Sequence, residues 1–372
     1  MDLLIRNVTW LDAELRPLSG DVRVSRDVII ETGAGLSQKK GEDVADFGGH
    51  FLYAGLINAH DHLEMNLYPR LGTPPYKNYT EWSKDIYHPD MSPLKEIEKT
   101  DIDYRLMWGG LKNLISGVTT VVHHNPWRST LGKSSFPVVV PKVDWAHSLA
   151  FDQHLPIRAI REIRENPFVI HAAEGIDDFS RQEIHKLNEL NLLHNNTVLV
   201  HGVGAQEAEW DLVASKGSSL AWCPSSNVYM FDRTTDVRSL EGRVSVVLGT
   251  DSTLTGSPTL LDEMKIAANY SAPRDIVRMT GIVAAKVFGL PEPVIRVGNK
   301  ADFFIAPKKK DDAVENLLNI GPYDIAMVVV RGKIMLRDKK FTTINVDKLR
   351  SYFEKKIGTG ILEQNPLWRM IV

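Results

Sequence analysis

"GLINAHDHLEM", residues 55–65, is an apolar run that ends in two histidines, His60 and His62. Alternate side chains on a β-strand face the same way, so both imidazoles would point to one side of a sheet. Four further apolar segments carry histidine or aspartate near their carboxyl ends: "GVTTVVHH", "PFVIHAAE", "TVLVHGVG" and "VSVVLGTDS". The carboxyl ends of parallel barrel strands meet at one mouth, where such enzymes place their chemistry. The pattern predicts a single site at that mouth.

The central part of the chain alternates apolar β-rich segments with helical patterns. Continuous apolarity is typical of strands that are covered on both faces, as in a parallel sheet. One helix is well marked, because Ser180 and Glu183 have capping-box spacing ahead of an apolar face. The repetition is that of a barrel or a doubly wound sheet. With the strand-end histidines, it leads us to expect an α/β fold with a (β/α)8 TIM-type barrel over residues 53–296.

The third and fourth barrel units are difficult to assign. Phe136–Ala150, "FPVVVPKVDWAHSLA", would have to supply two strands, and no helical pattern separates them. We therefore expect trimmed third and fourth βα units. Residues 67–102 contain several aromatics and prolines and are a candidate lid over one face.

Both ends of the chain have a different texture, with short alternating segments and glycine-rich turns in place of helical patterns. Isolated strands of this kind would leave half-buried faces and unpaired edges. We expect residues 1–52 and 297–372 to form one small β-sandwich domain, with the barrel inserted between its halves.

Composition restricts the class of protein. The chain has 372 residues, of which 43% are hydrophobic and 24% charged, which is typical of a globular protein with a large core. A net charge of −3 gives no field that would attract nucleic acid or an anionic membrane. Cys223 is the single cysteine, so disulfides within the chain and cysteine-built zinc sites are excluded. No secretory signal or membrane span is visible, and we expect a cytoplasmic location.

The strand-end residues form a set suited to a metal ion. Two imidazoles one residue apart can bind one cation, and His171 with Asp251 would complete a nitrogen and oxygen set for zinc or ferrous iron. A lone histidine at a strand end is usually a hydrogen-bonded structural residue. Here, however, histidine or aspartate recurs at four separate strand ends, and this recurrence favours a metal site over isolated structural roles.

These motifs resemble those of the amidohydrolase superfamily, most closely its single-metal branch of deaminases and triazine chlorohydrolases, a cytosine deaminase-like group. The resemblance covers nearly the whole chain. The matching segments are "GLINAHDH", "GVTTVV", "HAAEG", "VLVHG", "WCPSSN", "LGTDS", "GNKADFFI" and "VVVRGKIMLRD".

The resemblance implies a metal-dependent hydrolase that acts on carbon–nitrogen bonds other than peptide bonds. The implied reaction is hydrolytic deamination of a cyclic amidine or heteroaromatic amine, such as a nucleobase, pterin or triazine, by a metal-bound hydroxide. The implied cofactor is one divalent metal ion, Zn²⁺ or alternatively Fe²⁺. The implied ligands are His60, His62, His171 and Asp251.

The same resemblance implies three catalytic residues. Glu174 would carry a proton from the water to the leaving nitrogen, and His201 would polarise the water or the substrate. Asp251 would also accept a proton from the water. A positioned general acid of this kind contributes roughly 10²–10⁴-fold to the rate.

Substrate contacts are less sharply defined. His147 resembles a fourth-strand histidine that contacts substrate in some relatives, while Glu64 and Asn227 lie next to motifs and Trp82 could stack on a flat heterocycle. Neighbours on a strand point in opposite directions, so at most one residue of the "HH" pair at 123–124 can face the mouth.

Two alternatives remain open at this stage. One is a two-metal cyclic amide hydrolase or dipeptidase-like enzyme, for which Lys142 would be the carboxylated bridge. The other is a catalytically inactive binding protein on the same fold. Whether the protein is the single-metal deaminase or the two-metal hydrolase, we expect it to act on a small-molecule substrate and to form a homo-oligomer. We expect no nucleic-acid or membrane partner.

Overall fold

The structure is a computed structural model that describes residues 2–152, 154–155 and 166–371. In these residues the strands are β1 Asp2–Leu11, β2 Pro17–Ser25, β3 Val28–Gly33, β4 Asp43–Ala54, β5 Leu56–Asp61, β6 Val118–His123, β7 Asp144–Ala146, β8 Phe168–Ala172, β9 Thr197–His201, β10 Ser219–Trp222, β11 Val246–Leu248, β12 Phe303–Pro307, β13 Met327–Val330, β14 Lys333–Arg337 and β15 Lys340–Phe341. The α-helices are α1 Tyr79–Ile86, α2 Leu94–Ile97, α3 Ile102–Leu114, α4 Asp178–Glu189, α5 Glu207–Lys216, α6 Pro224–Phe231, α7 Leu260–Ala267, α8 Pro273–Met279, α9 Ile282–Val287, α10 Ala313–Leu317, α11 Val346–Ile357 and α12 Thr359–Leu362.

Both ends of the chain contribute to one eight-stranded mixed sheet. Its strand order is β15-β14-β13-β12-β4-β1-β2-β3. The two halves meet where β12 pairs antiparallel with β4, in a register that sets Phe303 against Ala54. Alternate side chains such as Leu3, Ile5 and Val22 are fully buried in the core on one side of this sheet. The termini are therefore joined by backbone hydrogen bonds.

The central strands are parallel. Strands β11-β10-β9-β8-β7 form one sheet and β5 pairs with β6. A parallel bridge from Asp61 to Asp251 links β5 to the residues after β11, and another links Thr120 to Val139. Every residue of β8 and β9 is buried. This mixed α/β architecture is TIM-barrel-like, in agreement with the predicted fold class.

The connection between β6 and β7 contains no α-helix. Residues 124–143, all of them described, hold only a short 3₁₀ turn at Ser129–Gly132. Phe136 is fully buried and lies with Pro137 directly against Gly110 of α3, where a Cβ atom would come within 3.1 Å of the Phe136 ring. These bulky residues occupy the space beside α3.

The helix predicted from Ser180 and Glu183 begins differently from the prediction. Its N-cap is Asp177, whose side chain accepts hydrogen bonds from both the backbone NH and the hydroxyl of Ser180. Glu183 turns inward and accepts hydrogen bonds from the Tyr79 hydroxyl and the Ala173 backbone NH. The capping-box prediction was wrong, because a better capping carboxylate precedes the serine and the glutamate has buried partners.

The C-terminal helices pack on the barrel side of the molecule. Trp108 of α3 lies 5.3 Å from Trp368 and 5.9 Å from Phe353, measured between ring centroids. The amide of Asn365 donates to the backbone carbonyls of Asn66 and Tyr68, at 2.9 and 2.8 Å. This tail forms a strap over the loop that follows β5. In the described ranges, no helix has both the length and the apolarity needed to cross a bilayer.

Candidate metal centre

The predicted site residues converge at the carboxyl ends of the central strands. A cavity of about 540 Å³ opens there. Its floor carries polar side chains, and its walls are mostly aromatic and aliphatic. The floor residues are His62, His147, His171, Glu174, His201 and Asp251; the walls include Met65, Tyr68, Tyr79, Trp82, Phe151, Met230 and Leu254. Among the residues that the structure describes, this is a concave site with convergent polar groups, the usual form of a small-molecule site.

The four predicted ligands approach a common point. The Nε2 atom of His171 lies 3.3 Å from the Nε2 atoms of both His60 and His62. The Oδ1 atom of Asp251 lies 3.7 and 3.6 Å from the same two nitrogens. Tetrahedral zinc with bonds of about 2.0–2.1 Å separates its ligand atoms by about 3.3–3.4 Å. The two separations from His171 match this spacing and the two from Asp251 are slightly longer, so these nitrogen and oxygen donors suit a small divalent cation.

Burial favours, for His62 and His171, the neutral form that a metal requires. His171 Nδ1–H donates to the His147 backbone carbonyl at 2.8 Å, which leaves the lone pair on Nε2. Burial, reinforced by neighbouring imidazoles, holds the pKa of His62 and of His171 well below its ordinary value. Neutral imidazoles with free lone pairs are the ligand form.

Asp251 is held on its other oxygen. Ser226 and Thr255 donate their hydroxyl hydrogens to Oδ2 at 2.8 and 2.7 Å, so Oδ1 is left for the cluster. Burial raises the pKa of Asp251, but hydrogen bonding from His60 and the nearby imidazoles outweigh burial and leave the net pKa below its ordinary value. Ser226 lies in "CPSSN", a motif that marked this region without identifying the contact.

Glu174 and His201 face each other beside the ligands. His201 Nε2 lies 3.6 Å from Glu174 Oε1, and both side chains are buried. Burial, together with the charge of Asp251, raises the pKa of Glu174 well above its ordinary value. Burial lowers the pKa of His201 to about 4. The pair thus joins a carboxyl group with a raised pKa to an imidazole with a lowered pKa.

Asn227 departs from its predicted role as a substrate contact. It lies in α6, is completely buried and is not part of the cavity lining. Its Oδ1 atom accepts the Nδ1–H of His201 at 2.8 Å. Position next to a motif could not reveal this orientation. Asn227 fixes the tautomer of His201, so the lone pair of that ring is on Nε2.

The other predicted substrate contacts line the cavity. His147 follows β7, Trp82 is half-buried in α1, and Glu64 lies in the loop after β5. The Glu64 carboxylate accepts a hydrogen bond from Asn125 at 2.6 Å. Trp82 Nε1 donates to the Leu71 carbonyl at 3.3 Å, which orients its ring.

The histidine pair at the end of β6, His123 and His124, splits as the alternation rule requires. His123 accepts from the backbone NH of Leu63 at 3.4 Å and lies near Glu64. His124 points the other way, and its ring centroid lies 4.4 Å from that of His171 and 5.0 Å from that of His60. Only His124 therefore joins the histidine cluster.

Lys142, the predicted bridging lysine, does not approach the centre. It is exposed, and its ammonium lies 5.3 Å from the centroid of the Trp127 ring. Neither residue is part of the cavity lining. The segment between β6 and β7 runs along the surface at this point, so the two-metal arrangement lacks its bridge in the described part of the chain.

A buried polar network beneath the ligands was not predicted. Asp61, between the two histidines of β5, accepts from Lys112 Nζ at 3.1 Å and from Asn113 at 2.8 Å, and both partners of the ion pair are fully buried. Lys112 also donates to Thr250 Oγ1 at 2.9 Å. Thr250 in turn donates its backbone NH to the His60 carbonyl at 3.0 Å. The network connects the first and last barrel strands, which carry three of the four candidate ligands.

The sequence is similar to those of known proteins. The model of the amidohydrolase family matches residues 156–335. The chain is 24% identical over 414 residues to 5-methylthioadenosine/S-adenosylhomocysteine deaminase of Pyrococcus furiosus, covering 92% of this chain and 97% of that protein. It is 23% identical to 5'-deoxyadenosine deaminase of Methanosarcina mazei, covering 94% and 96%.

Solved structures share the fold. The zinc-bound adenosine deaminase of Xanthomonas campestris aligns with a TM-score of 0.77 at 16% identity, over 95% of this chain and 100% of that one. The zinc complex of atrazine chlorohydrolase from Arthrobacter aurescens aligns with a TM-score of 0.78, also at 16% identity and with the same coverage.

The fold, the histidine cluster and the sequence relatives together define a hydrolase that acts on carbon–nitrogen bonds. The resemblance to the amidohydrolase superfamily is confirmed. Relatives that are deaminases and triazine chlorohydrolases are consistent with its single-metal branch.

Proposed function

We propose that the protein catalyses hydrolytic deamination of a cyclic amidine or heteroaromatic amine with a nucleobase-, pterin- or triazine-like ring. The observation that carries the proposal is that His171 Nε2 and Asp251 Oδ1 each lie 3.3–3.7 Å from the Nε2 atoms of both His60 and His62, beside the buried Glu174. The deaminase names of the sequence relatives support the same reaction.

One divalent cation, Zn²⁺ or alternatively Fe²⁺, would be held by His60, His62, His171 and Asp251. When bound, it supplies Lewis-acid chemistry that makes a water nucleophilic near neutrality. The support is the short distance of His171 Nε2 and Asp251 Oδ1 from the Nε2 atoms of His60 and His62, together with the lowered pKa of His62 and of His171.

Glu174 supplies the proton for the leaving group. In the overall reaction a carbon–oxygen bond forms, the carbon–nitrogen bond breaks, and nitrogen departs as ammonia, which is a poor leaving group until it is protonated. Burial and the charge of Asp251 raise the pKa of Glu174, which favours the protonated form that can pass a proton to that nitrogen. Once ionised, the same carboxylate can take up a proton from the attacking water.

His201 and Asp251 orient the nucleophile. Because Asn227 holds the Nδ1–H of His201, the Nε2 lone pair can accept a hydrogen bond from water at the floor of the cavity. Asp251 Oδ1 can accept a proton there, while two hydroxyl groups hold its other oxygen in place. Neither residue has to move for these roles.

The walls suit a flat ring. Tyr79 and Phe151 pack edge to face with centroids 5.4 Å apart, and Trp82 lies on the same wall. We propose that Trp82 contacts the ring face, while His147 and Glu64 contact its polar edge. The volume of about 540 Å³ accommodates a heterocycle with a substituent.

A screen for ammonia release tests the reaction. Purified enzyme loaded with Zn²⁺ or Fe²⁺ is incubated with purines, their nucleosides, pyrimidines, pterins and amino-triazines. We expect at least one of these classes to release ammonia, with loss of activity after chelation and recovery after metal is restored. Release from none of them by metal-loaded protein would contradict deamination and favour amide or carbamate hydrolysis.

The metal stoichiometry separates one-metal from two-metal chemistry. We expect one equivalent of metal per chain, because Lys142 is exposed and remote from the cluster and the buried Lys112 is already paired with Asp61. Elemental analysis of protein purified in the presence of excess zinc, with surface metal removed by gel filtration, measures this. Two tightly held equivalents would overturn the single-metal assignment.

We also propose that residues 1–52 and 297–372 form one domain and residues 53–296 another, with the C-terminal strap lying across both. The register between β4 and β12 supports this division. A cytoplasmic homo-oligomer is proposed from the family resemblance.

A further inference from the structure

We propose that His124 is a fourth imidazole ligand of the cation at the floor of the cavity. This inference rests on the metal centre of the proposed function and extends it to a residue outside the four-residue ligand set. A ring nitrogen of His124 lies within 4.8 Å of ring nitrogens of all three histidines of that set. The side chain is completely buried.

The hydrogen bonding of His124 fixes where its lone pair lies. Its Nε2 atom is 2.8 Å from the backbone carbonyl of Ala146, which can only accept, so Nε2 carries the hydrogen. The lone pair is therefore on Nδ1. That atom is buried and has no hydrogen-bond partner within the described ranges. A buried acceptor without a partner is costly unless something else satisfies it, and a cation shared with the neighbouring rings would do so.

This arrangement matches the way that metal-binding histidines are usually oriented. Such a histidine commonly donates its other ring NH to a backbone carbonyl or a carboxylate, which fixes the tautomer and makes the ligating nitrogen more basic. His171 shows the same pattern, donating to the His147 carbonyl. Both carbonyls belong to residues at the end of β7 or directly after it. Neighbouring carbonyls thus orient two rings whose centroids are 4.4 Å apart.

A fourth imidazole would change the preference of the centre. An additional neutral nitrogen donor makes the site richer in imidazole, which suits Zn²⁺, Fe²⁺ or Ni²⁺ and disfavours Mg²⁺ and Ca²⁺. Together with Asp251 it brings the number of protein ligands to five, above the three that catalytic zinc sites commonly use. Co²⁺ reports this number, because its visible absorption is stronger in four-coordinate than in five-coordinate sites.

Two substitutions separate ligation from packing. In His124→Gln the side-chain amide NH₂ can still donate to the Ala146 carbonyl, but the variant has no lone pair at the position of Nδ1. His124→Asn can place a carbonyl oxygen near the Nδ1 position and loses the contact with Ala146. His123→Gln is the matched control, since the adjacent ring points away from the cluster. Metal affinity is measured by competition with a chelator, and Co²⁺ spectra are recorded for each folded protein.

We expect His124→Gln to weaken Zn²⁺ binding by more than about tenfold and to change the Co²⁺ spectrum. Loss of a residue that only hydrogen-bonds a metal ligand already weakens metal binding by about tenfold or more. His124→Asn should bind Zn²⁺ more tightly than His124→Gln. The His123→Gln control should bind as the wild type does. Affinity within tenfold of wild type for His124→Gln, or an unchanged Co²⁺ spectrum, would overturn the assignment.

X-ray absorption of the Zn²⁺-loaded wild-type protein gives a test that needs no variant. Scattering from four imidazoles supports His124 as a ligand, and scattering from three overturns it. A wild-type chain that binds no divalent cation would instead contradict the proposed metal centre itself. The two failures are therefore distinguishable.

Discussion

Replacing Glu174 by glutamine should lower kcat by about 10²-fold or more while the metal content stays at the wild-type level. Glutamine has nearly the same shape as glutamic acid but has no proton to give to the leaving nitrogen. Glu174 is not one of the four proposed metal ligands, so the substitution should not release the cation. Steady-state rates of ammonia release, measured with elemental analysis of the same preparation, check both parts.

Glu183→Gln is the matched control for this substitution. Glu183 is also a buried glutamate close to the site, and burial raises its pKa to about 7, but its partners are the Tyr79 hydroxyl and a backbone NH. Its variant should keep a kcat far above that of Glu174→Gln. If Glu174→Gln remained fully active, or if both variants lost activity equally, the proton-transfer role would have to be abandoned.

Replacing Lys112 by methionine should destabilise the protein by about 3–5 kcal/mol. Lys112 and Asp61 are both fully buried and lie 3.1 Å apart. Methionine has a similar length but no charge, so the Asp61 carboxylate would remain in the interior without its cation. Chemical unfolding of the metal-free protein, followed by circular dichroism, measures the change without a contribution from metal binding.

A double substitution provides the control for Lys112. Adding Asp61→Asn to Lys112→Met removes the unpaired carboxylate as well as the cation. The double variant should be more stable than Lys112→Met alone, because removing both charges of a buried pair is less harmful than leaving one. Additive losses from the two single substitutions would show that the pair is not energetically coupled.

The convergence of the proposed ligands could be predicted because their positions follow from strand geometry. Alternation on β5 sets His60 and His62 on one side, and parallel strands bring His171 and Asp251 to the same end. The backbone of Asp251 adopts a left-handed φ of 57°, which a pattern of residue types does not reveal. The geometric convergence follows from the fold class, and so the sequence was enough to locate it.

Local signals failed where tertiary partners compete with them. Ser180 and Glu183 have the spacing of a capping box, yet Asp177 caps the helix and Glu183 finds Tyr79 instead. Asn227 lies next to a motif, but the direction of its amide depends on how α6 packs against His201. The hydrogen-bond partner of each of these side chains depends on which groups lie within reach in the folded protein. Those distances cannot be read from a single sequence.

Lys112 was missed for a related reason. In a helical segment a lone lysine usually marks the solvent face, and its position in α3 fits that expectation until the helix is placed on β5. Only the fold brings its ammonium to the carboxylate between two ligands. Asp61, the aspartate in "HDH", is compatible with a buried positively charged side chain as its partner, but the sequence does not identify Lys112 as that partner.

The strap formed by the C-terminal helices has a consequence for how the protein matures during synthesis. The loop that follows His62 receives two of its carbonyl partners from Asn365, about three hundred positions later in the chain. On the ribosome Asn365 is therefore made after all four proposed ligands, which come from separate parts of the chain. The loop after β5 can gain these two hydrogen bonds only once the Asn365 segment has been synthesised and has folded back onto it.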